Sequence, residues 1–177
     1  MQARGQLMVE HRLIERMIGL LKAAAGHIAL ENRIEPAFLD AALDFIRTYV
    51  DRTHHGKEEN LLFRELDRKP LSIADRQVMN DLIAEHVFGR NIAETLAASN
   101  TRYRDGDASA LAEIADKLKT MADFYPRHIE KEDKVFFPAA RAYFTDEEDQ
   151  ALLAEFREFD RYMIHEKYKS LVKELGG

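Results

Sequence analysis

Apolar positions recur every three or four residues along almost the whole chain. Leu7, His11, Ile14, Ile18 and Leu21 step by 4, 3, 4 and 3, which puts them on one face of a first helix. Gly26, Asn32 and Pro36 then mark a loop from Gly26 to Glu35, with Pro36 in the first turn of a second helix. That helix is expected from Pro36 to about Arg68, burying Leu39, Leu43, Ile46, Val50, His54 and Leu61, and to stop at Lys69-Pro70. Ser72 with Asp75 three residues on reads as the N-cap of a third helix, whose inner face carries Met79, Leu82, His86, Ala93 and Leu96. The turn Asp105-Gly106-Asp107 closes it near Tyr103. A fourth helix has the most regular stripe: Leu111, Ile114, Leu118, Met121, Tyr125, His128, Glu132 and Val135. Pro126 lies inside that stripe and predicts a kink or local break. Thr145 and Glu148 form a capping box for a fifth helix with Leu152, Phe156, Phe159 and Met163 on its apolar side.

No stretch alternates with the period of a strand. Four long helices with short connections predict an all-α fold, an antiparallel up-down-up-down four-helix bundle over residues 1–145. A further C-terminal helix, over residues 146–177, is expected to pack on it.

Composition narrows the function classes. A chain of 177 residues can bury one sizeable core, and 46% hydrophobic with 33% charged residues excludes general disorder. The absence of cysteine excludes disulfides, cysteine-ligated clusters and a cysteine nucleophile. The formal net charge of -6 argues against a nucleic-acid surface. No segment approaches the roughly 18 apolar residues of a membrane span. The N-terminus MQARGQLMVEHRL lacks the apolar core of a signal peptide, so the expectation is a cytoplasmic protein without membrane or nucleic-acid partners.

The residues that interrupt the stripes carry the chemistry. His11, His54, His86, His128 and Glu132 all hold core-facing positions, and Glu58 follows His54 by one turn. An ionised carboxylate there is costly unless it is paired or bound to metal. Four helices each bring one imidazole, at levels that agree to about one or one and a half turns. The simplest common explanation is a metal site in the interior. His54-x-x-x-Glu58 and His128-x-x-x-Glu132 each place imidazole and carboxylate on one face. Two such pairs facing one another can hold two metal ions, with the carboxylates bridging. Mixed nitrogen and oxygen ligands suit iron, manganese or zinc.

Three further residues are candidates. His55 and Glu59 form a second i, i+4 pair and become the ligands if the helix is rotated by one residue. Glu59 otherwise holds a ligand imidazole from behind. His165 is either a further imidazole reaching back from the fifth helix or an exposed histidine. His27 falls in the expected loop, and Tyr125 faces inward one turn before His128.

The segments MVEHRLIERM, HHGKEENLLF, AEHVFGR and HIEKEDKVFFP, in this order and on these helices, resemble the hemerythrin-like proteins of the HHE cation-binding type. The resemblance covers about residues 5 to 145. It implies a non-heme site of two iron ions, oxo- or hydroxo-bridged and replaceable by manganese or zinc. Its ligands would be His11, His54, Glu58, His86, His128 and Glu132. Oxygen-carrying hemerythrins draw two histidines from the third helix as His-x-x-x-His; here the fourth residue after His86 is Arg90. Four matched histidines place the chain nearer to iron-centre repair proteins and regulatory domains than to oxygen carriers. The leading expectation is a protein that binds or senses oxygen, nitric oxide or peroxide. The alternatives are a di-iron enzyme or iron donor in detoxification or cluster repair, and a helical interaction module whose histidines only pair with glutamates.

Overall fold

A computed structural model describes residues 2–174. Residue 1 and residues 175–177, which close the expected segments 1–145 and 146–177, lie outside the described residues. Among those described there is no strand, and the chain is all-helical, with five helices joined by short turns.

Helix α1 is Ala3–Glu31. It runs through Gly26 and His27, so the expected loop shrinks to residues 32–35. Asn32 ends it in a left-handed conformation (φ 50°) and donates its N–H to the Ile28 carbonyl at 2.9 Å. His27 is exposed on the last turns of the helix rather than in a loop. Helix α2 covers residues 36–67. It opens as α-helix at Pro36–Asp44, widens into π-helical turns at Phe45–His55 and Glu58–Phe63, and closes at Arg64–Asp67.

Helix α3 is Ile73–Arg104, and the Ser72 hydroxyl accepts from the Asp75 N–H as expected. Gly106, at φ 99°, supplies the left-handed residue of the turn that follows. Helix α4 covers residues 110–141: Ala110–Lys131, a π-helical turn at Glu132–Phe136, then Phe137–Arg141. No break occurs at Pro126; the chain stays helical through it. The wide turn beginning at Glu132 instead shifts the buried face, so that Phe136 and Phe137 are buried and Val135 is exposed, contrary to the stripe. Helix α5 is Asp146–Glu174. Its capping box forms in both directions, Glu148 N–H to Thr145 Oγ1 at 3.2 Å and Thr145 N–H to Glu148 Oε2 at 2.9 Å.

Helix α4 packs on α1 and α3, and α2 packs on α3. The buried residues fall into two apolar clusters. One gathers Ile14, Ile18, Leu21, Leu43, Val50, Leu96, Leu118 and Met121. The other gathers Leu7, Leu61, Leu66, Leu82, Phe136 and Phe137, joined by Leu152 and Phe156 of α5. Along each of α1 to α4 a buried polar stretch separates the two: His11, then His54 to Glu58, then His86, then His128 and Glu132. Gly56 is the contact that admits α5. A Cβ there would meet the Phe159 ring at 2.9 Å, so a side chain at 56 would displace that ring from its place on α2.

Candidate metal centre

The π-helical turns of α2 decide which residues reach the interior. A π-helical turn takes in one more residue than an α-turn. His54, His55, Gly56, Lys57 and Glu58 are consequently all buried, a run that no α-helical face can bury against one neighbour. His54 and His55 are thus not alternatives set by rotation. Both side chains are inside.

Two groups of ligand atoms result. His11, His54, Glu58 and Glu132 form one, and His55, His86 and His128 the other, with the atoms of each group within 4.8 Å of one another. The carboxylates connect the groups. Glu132 turns Oε2 to His11 Nε2 at 3.2 Å and Oε1 to His128 Nε2 at 3.3 Å. Glu58 turns Oε1 to His54 Nε2 at 3.7 Å and Oε2 to His86 Nε2 at 3.3 Å.

Most of these atoms have no hydrogen-bond partner. Both oxygens of Glu58 and of Glu132, Nε2 of His86 and His128, and Nδ1 of His55 are buried and unbonded. A buried polar atom normally finds a partner, and leaving one unmade costs about 1–3 kcal/mol. A concentration of such atoms, all nitrogen and oxygen donors facing one another, fits a metal site. The donor set of imidazoles and carboxylates suits a first-row divalent or trivalent ion.

Behind the imidazoles stands a closed ring of carboxylates. Glu10 on α1 accepts from His54 Nδ1 on α2 at 2.8 Å. Glu59 on α2 accepts from His86 Nδ1 on α3 at 2.8 Å. Glu85 on α3 accepts from His128 Nδ1 on α4 at 2.8 Å. Asp133 on α4 accepts from His11 Nδ1 on α1 at 2.7 Å. An ionised carboxylate only accepts, so each Nδ1 carries a proton, and in a neutral ring Nε2 keeps its lone pair for the interior. His55 stands outside this ring, with Asp51 Oδ1 3.7 Å from its Nδ1.

Charge is distributed unevenly. Burial opposes protonation of His11, but the hydrogen bond to Asp133 and the close Glu132 carboxylate outweigh it and raise its pKa to about 9. Burial lowers His54 to about 4, although Glu10 pulls the other way. The protonated His11 therefore donates from Nε2 to neutral His54 Nε2 at 2.9 Å. Burial and the neighbouring imidazoles hold His55 well below the usual histidine range. Burial and the charge of Glu132 push Glu58 up, while His128, His11 and His86 overcome burial and hold Glu132 far down.

His11, His54, Glu58, His86, His128 and Glu132 all stand in the cluster, and His55 joins them. Glu59 is half-buried behind His86, where it also accepts from Arg90 at 3.1 Å. Arg90 is taken up by Asp51, at 2.7 Å, and by Glu59. His165 is exposed on α5 and belongs to neither group. Glu10, Glu85 and Asp133 were missed by the sequence reading. Their signal was nonetheless present, because each is the immediate neighbour of His11, His86 or Glu132.

An all-helical fold with a buried histidine and carboxylate cluster defines a class of helical metal-binding proteins. Within that class, the hemerythrin HHE cation-binding domain matches residues 3–140, and the chain belongs to that family. Among its relatives are "Uncharacterized protein Rv1995" of Mycobacterium tuberculosis and "Uncharacterized protein Mb2018" of Mycobacterium bovis. Each is 23% identical over 178 aligned residues, covering 96% of this chain and 69% of the relative. No solved structure matches at comparable significance. No helix among the described residues is long and apolar enough to cross a membrane.

Proposed function

We propose that the chain holds two iron ions in this cluster and binds or senses a small ligand there, namely oxygen, nitric oxide or peroxide. The observation that supports it most is the splayed pair of carboxylates. Glu58 and Glu132 each offer one oxygen to His11 or His54 and the other toward His86 or His128. A carboxylate that only paired with a single imidazole would have no reason to divide its oxygens in this way. His11 and His54 would hold one ion and His55, His86 and His128 the other, with Glu58 and Glu132 shared. His55 then makes up the imidazole that Arg90 replaces on α3.

The proposed frame is an antiparallel up-down-up-down four-helix bundle. The order of the apolar clusters supports it: α1 passes from Leu7 to Ile14, α2 from Val50 to Leu61, α3 from Leu82 to Leu96, α4 from Met121 to Phe136. The cluster sequence reverses from each helix to the next, as alternating directions require.

An iron pair would supply an open coordination position and a change of oxidation state. The protein's part is to hold and shield. The four carboxylates behind the imidazoles fix each ring's tautomer and direction. The apolar clusters on either side keep bulk water away from the donors.

Elemental analysis of chain expressed with ample iron tests the reading. Two irons per chain are expected. Less than one metal ion of any kind per folded chain would overturn it. Stopped-flow mixing of the reduced form with oxygen then separates a reversible adduct, expected of a binder, from rapid irreversible oxidation, expected of an enzyme.

A further inference from the structure

Where α2, α3 and α4 meet beside the histidine group, a cavity of about 150 Å³ is lined by Ile46, Asp51, His55, Gly89, Arg90 and Tyr125 among others. It is well below the several hundred Å³ of a site for drug-sized molecules. It suits a ligand of a few heavy atoms.

One polar group in its wall is unspent. Tyr125 is 2% exposed as a residue, and its hydroxyl, in the cavity wall, makes no hydrogen bond to any described residue. A buried tyrosine hydroxyl ordinarily has a partner. His55, assigned above to the metal, lines the same wall. The backbone is shaped around that hydroxyl. A Cβ on Gly89 would lie 3.1 Å from the Tyr125 oxygen, so a side chain at 89 would press the phenol back by a few tenths of an ångström. Charge at the cavity is already matched, since Arg90 lies 2.7 Å from Asp51 and 3.1 Å from Glu59. What remains on offer is a neutral donor beside an imidazole. That combination recognises a ligand with a terminal acceptor atom and at most one negative charge.

We propose that Tyr125 is the specificity-determining hydrogen-bond donor for a ligand of two or three heavy atoms that occupies this cavity beside His55. The proposal rests on the reading of the cluster as an iron site. Tyr125 itself is no ligand in that reading. It selects among small molecules that reach the His55, His86 and His128 side of the cluster by whether their outer atom accepts a hydrogen bond.

Azide serves as the probe, titrated into the iron-loaded full chain and followed by its visible charge-transfer absorption, with iron content measured in parallel. Tyr125→Phe removes only the hydroxyl. It is expected to raise the azide Kd about tenfold, equivalent to about 1.4 kcal/mol, with iron content unchanged. Gly89→Ala should also weaken azide by crowding the phenol. Tyr49→Phe, whose ring lines a different groove against α5, should not. An unchanged azide Kd in Tyr125→Phe overturns the proposal while leaving the iron reading intact. So does a weakened Kd accompanied by loss of iron, which would show a packing role, and so does an iron-loaded wild type that binds no azide. A wild-type chain that takes up no metal overturns both readings together.

Discussion

Lys57 Nζ lies 2.6 Å from Asp160 Oδ1, and the lysine side chain is fully buried. The same ammonium donates to Glu10, whose other oxygen holds His54 Nδ1. Gln6 Nε2 donates to the second oxygen of Asp160 at 2.6 Å. Helix α5 is therefore connected to the histidine cluster through three side chains as well as through its apolar contacts. Removing one partner of a buried pair costs roughly 3–5 kcal/mol, because the other charge is left behind. Lys57→Ala takes the ammonium from both carboxylates but leaves His54 on Glu10 and Gln6 on Asp160, so it is expected at the low end of that range, about 3 kcal/mol, by urea denaturation. Asp160→Ala leaves Lys57 paired with Glu10 and should cost roughly 1–2 kcal/mol. Equal and negligible effects of the two variants would show that the chain of contacts holds nothing.

Metal analysis separates the histidines. Glu58→Ala, Glu132→Ala and His55→Ala each remove a donor from the interior and are expected to lower metal content to half or less of wild type. His165→Ala, on the exposed face of α5, should retain all of it. Full retention in His55→Ala with loss in the other two would restrict the site to one His/Glu group and its immediate neighbours.

The carboxylate ring makes its own prediction. Removing an outer partner of a ligating imidazole typically costs 10–100-fold in metal affinity. Glu85→Ala, which frees His128 Nδ1, is expected to weaken metal binding by about that factor in chelator competition. Glu85→Gln keeps an acceptor and should lose less. Glu130→Ala, on an exposed residue paired with Lys134, should change nothing.

Protein stripped of metal by chelation should show a pH-dependent stability set by His11. Its folded pKa, about 9, stands above the ordinary value of 6.5 despite burial, because Asp133 and Glu132 hold its proton. Its contribution is therefore fully present below 6.5 and is lost as pH rises through 9. The loss between pH 7 and pH 9 is about 2 kcal/mol. Denaturation midpoints should fall over that window in stripped protein. They should stay level in His11→Gln. A flat profile in the stripped wild type would contradict the charge assigned to His11.

The helices were legible because their signals are local. Ser72 with Asp75 and Thr145 with Glu148 satisfy backbone N–H groups a turn away, and the structure forms both. The stripe from Leu111 to Glu132 is likewise buried as its spacing requires, with His128 and Glu132 inside. The reading went astray where a local rule met a longer-range force. Gly26 reads as a loop signal, but a glycine costs an α-helix only about 1 kcal/mol, which packing on both sides overcomes. Val135 was placed on the stripe by a constant period, and the wide turn at Glu132–Phe136 turns it to solvent.

The same wide turns explain the treatment of His55. A period of 3.6 allows one of His54 and His55 to face inward, so the two were set against each other. Nothing local marks the π-helical turns at Phe45–His55 and Glu58–Phe63. They bring both imidazoles and Glu58 into the interior together.

By itself, the sequence determined an all-helical chain with an imidazole on each of four helices and a carboxylate one turn after two of them. Periodicity and capping act within a turn or two, so one strand of text is enough to read them. Only the tertiary structure decided that His55 joins the cluster while His165 does not. It also decided that Glu10, Glu59, Glu85 and Asp133 each serve an imidazole on another helix, and that the Tyr125 hydroxyl lies against Gly89. These relations depend on where separate helices meet, and the energy that fixes them comes from burying polar groups that can be satisfied only across those contacts.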